Sequence, residues 1–109
     1  MGHDILGYNK AGEEIAYARF SMGNYNAITL YSLLEAYSYY AGVSGSGKST
    51  TFSIKQIEKA LNAYKKLYNN GDSLSESDVQ TWDQKQILDF ILNCLATVQK
   101  EGSVRVYFG

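Results

Sequence analysis

Residues 87 to 98 carry Ile87, Leu88, Phe90, Ile91, Leu92, Cys94, Leu95 and Val98. An apolar arc that wide does not suit a helix with one wet side, and it predicts a helix packed on both a sheet and a neighbouring helix. The helix is expected to begin near Ser77 or Thr81, where "TWDQ" from Thr81 to Gln84 reads as a capping box. Gly102 stops it, and Val104, Val106 and Phe108 then alternate with Arg105 and Tyr107 as a strand. The end of the chain therefore needs a sheet to join and a helix layer to complete.

The beginning supplies the sheet. Ile5, Gly7 and Tyr8 lead through the polar turn Asn9-Lys10-Ala11-Gly12 into an alternating run, with Ile15, Tyr17 and Arg19 on one side and Ala16, Ala18 and Phe20 on the other. A first helix is expected from an N-cap at Asn24 or Asn26, with Ile28, Tyr31, Leu34 and Tyr37 along its stripe, widened by Leu30 and Leu33, and Gly42 at its C′ position. A second helix starts at Ser53, whose capping box closes with Gln56 and whose staple pairs Phe52 with Ile57. Ile54, Ile57, Leu61, Tyr64 and Tyr68 form its apolar face. The fold class read from this order, ββαααβ, is α+β: a single domain over 1–109, with a small, mostly antiparallel sheet made of a β-hairpin plus the C-terminal strand, covered by three helices.

Composition narrows the function classes. The formal net charge is −1, so no global field invites nucleic acid or a membrane surface. No apolar run reaches the length of a membrane span, and "MGHDILGYN" has neither a basic nor an apolar leader region, so the chain is expected to be soluble and cytoplasmic. One histidine and one cysteine exclude an internal disulfide and leave zinc without a ligand set. Cys94 is expected in the core, and His3 beside Asp4 in a structural role. No metal or cofactor is expected.

"GVSGSGKST", residues 42 to 50, satisfies G-x-x-x-x-G-K-[ST] through Gly42, Gly47, Lys48 and Ser49. Phosphate-loop chemistry needs a buried parallel strand before the loop and a helix opening at the lysine, so that amides and dipole converge on the phosphate. Here the preceding stretch reads as helix, the next helix opens at Ser53, and 109 residues cannot supply the repeated βαβ units. NTPase chemistry is thus the least favoured reading. The glycines Gly42, Gly45 and Gly47, interleaved with Ser44, Ser46, Ser49 and Thr50, stay open to two readings: an anion-binding loop or a solvated connection.

Other groups carry less. Lys48, Lys55, Lys59 and Lys66 read as the wet side of the second helix and the loop before it. Asp72, Glu76, Asp78 and Asp83 lack calcium-loop spacing and read as solvated or near a helix start. Ten tyrosines and no proline are the compositional outliers. Tyr37, Tyr39 and Tyr40 run directly into the glycine loop, and tyrosine offers contact area at low entropy cost. Arg19 and Arg105 on strands can pair an anion in two-pronged fashion.

The stretches "MGHDI", "AGEEIAYARF", "YYAGVSGSG" and "VRVYFG" resemble small uncharacterised proteins encoded by phages and bacteria. The resemblance implies a small accessory protein that binds a host component, and it carries no functional residue over. The leading expectation is a non-enzymatic binding protein. Its candidate surface is Tyr37, Tyr39, Tyr40, Gly42, Ser44, Gly45, Ser46, Gly47 and Lys48, with Arg19. The partner is a protein or a small anionic ligand such as a nucleotide, and a homo-oligomer is also open. The alternatives are nucleotide sequestration by the 42–50 loop and, last, hydrolysis.

Overall fold

The computed structural model describes residues 2–21, 25–42, 44–68 and 82–109. Asn24, the acidic group Asp72, Glu76 and Asp78, and the caps proposed at Ser77 and Thr81 lie outside the described residues, as does the Asp83 side chain. The protein is α+β. Strands β1 (Gly2–Tyr8) and β2 (Glu14–Ser21) form the hairpin, and helix α1 (Tyr25–Leu33) and a 3₁₀ turn (Tyr37–Tyr39) follow. Then come β3 (Lys48–Ser53), α2 (Ile54–Tyr68), α3 (Trp82–Glu101) and β4 (Ser103–Phe108). The sheet is fully antiparallel in the order β2-β1-β4-β3. The final strand lies beside the hairpin, as expected, paired with β1 from Ile5 opposite Phe108 to Tyr8 opposite Arg105.

β3 is an addition to the expected order. By sequence its residues read as the end of the glycine loop and the cap of α2, because KSTTFS has little apolar content. It pairs from Lys48 opposite Phe108 to Ser53 opposite Ser103, at the edge of the sheet, where one polar face costs nothing. Phe52 alone anchors it inward. The α2 cap is as expected: Ser53 N–H donates to Gln56 Oε1 at 2.8 Å, and Gln56 N–H donates to Ser53 Oγ at 3.3 Å.

α1 is shorter than expected. It stops at Leu33, and the stretch before Gly42 is a 3₁₀ turn rather than helix. The stop is a Schellman motif: Glu35 N–H donates to Ser32 C=O at 3.0 Å and Ala36 N–H to Tyr31 C=O at 2.8 Å. Glu35 itself takes the left-handed conformation, φ 55°, which costs a non-glycine residue roughly 1–2 kcal/mol. Sequence patterning passed over this stop because glutamate stands where glycine usually marks it. Gly42 does take positive φ, but as part of the later loop, and Asn26 lies inside the helix rather than at its cap. The buried stripe is accordingly Ala27, Leu30, Tyr31 and Leu34, while Ile28 and Tyr37 are exposed.

The helices cover one face of the sheet. Along β1, β2 and β4 every second residue is buried: His3, Ile5 and Gly7, then Ala16, Ala18 and Phe20, then Val104, Val106 and Phe108. Ile15 departs from its expected outward side. It is the extra residue where register shifts between Gly7 opposite Ala16 and Tyr8 opposite Glu14, and it packs against the core. From α3 the core receives Ile87, Phe90, Ile91, Cys94 and Val98, whereas Leu92 is exposed, so the buried arc is narrower than its sequence. Tyr64 Oη donates to Gln84 C=O at 3.3 Å, tying α2 to α3. Gln86 closes the outer edge of β2: its Oε1 accepts from Arg19 N–H at 2.8 Å and its Nε2 donates to Arg19 C=O at 3.0 Å.

Candidate functional site

The glycine segment is built into the body of the fold. Ser46 N–H donates to Tyr39 C=O at 2.9 Å, and Gly47 N–H donates to Phe108 C=O at 2.7 Å. Gly45 N–H donates to Gly109 C=O at 2.9 Å, and Ala41 N–H to Ser44 C=O at 2.9 Å. Ser44 Oγ donates to the carbonyl of Gly45 at 2.9 Å. The amides that an anion cradle would aim outward are thus engaged by carbonyls of the protein. Lys48 opens an edge strand, and the next helix starts six residues later at Ile54. That geometry offers a phosphate neither converging amides nor a helix dipole at the lysine.

The tyrosines divide. Tyr37 is exposed, but Tyr39 stacks on Phe108 with ring centroids 4.9 Å apart. Tyr40 stacks on His3 at 5.4 Å with planes 5° apart. Tyr31 lies edge-on to both His3 and Tyr40, and its hydroxyl sits 3.1 Å from His3 Nδ1. Tyr39, Tyr40, Gly45, Ser46 and Gly47 therefore come together as a packed clasp over the Phe108 end of β4. Arg19 stands apart on β2, with β1 between it and β4, paired with Asp4 at 3.6 Å with both side chains exposed.

His3 is almost completely buried in this aromatic group. Burial pushes its pKa below 6.5, against smaller opposing effects of a hydrogen bond with the Gly42 backbone and of the Asp4 charge. The unfolded chain therefore binds a proton at higher pH than the native state does. Stability from this source is complete above about pH 6.5 and falls as pH drops toward the native-state pKa, by at most about 1.4 kcal/mol per pH unit. Urea unfolding at about pH 7.5 and about pH 5.5 is expected to show a smaller loss for His3→Gln than for the parent chain. An equal loss in both would assign the acid sensitivity to carboxylates instead. Cys94 is buried, and that burial pushes its thiol up to about 12, away from the thiolate form.

The face of the sheet that no described helix covers holds what sequence reasoning passed over. Leu6 of β1 stands opposite both Tyr17 of β2 and Tyr107 of β4, making one row across three strands. Tyr17 is 46% exposed, and Leu6 and Tyr107 are half-buried. Toward the glycine segment the next residues are Asp4 and Arg19; Tyr17 Oη donates to Asp4 Oδ1 at 2.9 Å. Toward the other end lie Tyr8 and Arg105, with the guanidinium carbon 4.7 Å from the Tyr8 ring centroid. The signal was present in the alternation, because Leu6, Tyr17 and Tyr107 occupy outward positions where polar residues are usual. Only strand pairing lines them up.

Among the described residues no group of three or more His, Cys, Asp or Glu side chains is placed to hold a metal ion, and no helix is long and apolar enough to cross a membrane. No family model matches the chain, and no curated protein or solved structure does.

Proposed function

We propose that this is a non-enzymatic binding protein, working in the cytoplasm, that engages a protein partner across the open face of its sheet. The observation that carries the reading is the row Tyr17–Leu6–Tyr107 on strands already fixed by pairing. Rigid tyrosines supply contact area with little ordering cost on association. Asp4 with Arg19 at one end and Arg105 at the other give this apolar strip a charged rim, the usual layout of a recognition patch. The glycine segment is bonded to the end of β4 and is not itself the contact.

Photo-crosslinking in the cell tests it. With p-benzoylphenylalanine at position 17 or 107, one discrete heterologous adduct is expected, lost when Leu6 is changed to Lys. At Leu92, exposed on α3, the same probe is expected to give none. An adduct of twice the protein's own mass would replace the heterologous partner with a second copy, and equal labelling from position 92 would remove the sheet face from consideration.

A further inference from the structure

At the Ser103 end of the open face the hairpin turn and the sheet border a pocket of about 220 Å³ that is open to solvent. Its walls include Tyr8 and Lys10 from the turn side, Thr51 of β3, and Ser103 and Arg105 of β4. We propose that this cavity binds a small phosphate monoester. The inference shares Arg105 with the rim of the docking face but needs neither a partner nor the Tyr17 row, and Lys10 belongs to it alone.

Four observations carry it. Two cationic side chains, Lys10 and Arg105, line the cavity, and no carboxylate does. Neither cation is in an ion pair among the described residues, where the pairs are Arg19 with Asp4 and Lys59 with Glu35. The nearby Glu101 carboxylate accepts from the Lys10 backbone amide at 2.8 Å, which fixes the turn beside the cavity. Arg105 is held over Tyr8 at 4.7 Å, so its position is set by an aromatic face while its N–H groups are left for a ligand.

The ligand class follows from donors and volume. The Glu101 carboxylate at the Lys10 amide and the Glu13 carboxylate at the Asn9 side chain lie beside the pocket, so the donors that line it, more than net charge, favour a phosphate. The guanidinium fork, the ammonium and the hydroxyls of Thr51 and Ser103 suit the three terminal oxygens of a phosphate monoester. The volume is several times a water's share of about 30 Å³ and lies below the roughly 300 Å³ at which drug-sized sites begin. That leaves room for the phosphate and a short substituent.

The test is an amide ¹H–¹⁵N titration of the full chain with glycerol 3-phosphate at constant ionic strength. Saturable shifts are expected at Lys10, Gly12, Thr51, Ser103 and Arg105, while the amides of Gly45, Ser46 and Gly47 stay still. R105Q and K10Q are each expected to weaken binding by about tenfold or more. K10Q changes an exposed turn residue, so it keeps the test decisive if R105Q disturbs the sheet. The proposal is overturned by shifts that merely track added chloride, by binding that K10Q leaves unchanged, or by acetate binding as tightly as the phosphate ester.

Discussion

Gly45→Ala is expected to destabilise the protein by roughly 3 kcal/mol or more, at the upper end of what overpacking costs. A methyl group there would stand 2.6 Å from the carbonyl carbon and oxygen of Phe108 and 2.8 Å from the Tyr31 hydroxyl. Two of these are backbone atoms of a paired strand, so they cannot swing aside as a side-chain tip does. Relief would require lifting the segment off β4, which breaks the bonds from Gly45 N–H to Gly109 and from Gly47 N–H to Phe108. Gly42→Ala is the control. Its φ is +98° but nothing lies within 4 Å of the added carbon. Its cost is therefore backbone strain alone, roughly 1–2 kcal/mol. Thermal unfolding separates the two, since each kcal/mol moves the midpoint by several degrees in a chain of this length. Equal shifts would mean that close packing under Gly45 is not what fixes the clasp.

Phe108→Ala is expected to cost about 3–5 kcal/mol, the range for deleting a fully buried aromatic ring. Phe108 has no exposed surface and is the ring on which three others converge: Tyr39 at 4.9 Å, Tyr31 at 5.4 Å and Phe52 edge-on at 6.5 Å. Those partners come from the 3₁₀ turn, α1 and β3, so one side chain fastens three segments to the central strand β4. Phe108→Leu keeps most of the apolar volume and is expected to lose about half as much, the rest being ring-on-ring geometry worth about 0.5–1.5 kcal/mol per pair. Hydrogen exchange gives a second measure. The Gly45 and Gly47 amides, protected by their carbonyl partners in the parent chain, are expected to exchange much faster in Phe108→Ala. Unchanged protection there would show that the clasp is held by backbone pairing without the aromatic stack.

These two residues also mark where sequence reading stopped. The alternation of Val104, Val106 and Phe108 was enough to place them inward on a strand, and the pattern Ser53 to Gln56 was enough to start α2, because both are local rules of side-chain direction and capping. The end of α1 was missed because a glutamate holds the left-handed position, a choice tolerated by the two Schellman hydrogen bonds around it. β3 was missed because an edge strand needs only one buried anchor, Phe52, and leaves no periodic trace. The phosphate-loop pattern looked like a site because its letters describe amide and hydroxyl donors without saying where those donors point. Here three of the amides meet carbonyls of the 3₁₀ turn, β4 and Gly109.

The sequence by itself determined the α+β class, the hairpin and the inward alternation of the final strand, the burial of Cys94 and the failure of the context that phosphate-loop chemistry requires. All of these rest on local periodicity, capping or chain length. The tertiary structure decided which residues share a surface. It buried His3, laid Tyr39 and Tyr40 against the core, and brought Tyr17, Leu6 and Tyr107 into one row on the open face. It also set Lys10 and Arg105 at one cavity although 95 positions separate them. The physical reason is that a strand's alternation fixes only which side a residue faces. Its neighbours on that side come from register between strands far apart in the chain, which non-local pairing sets.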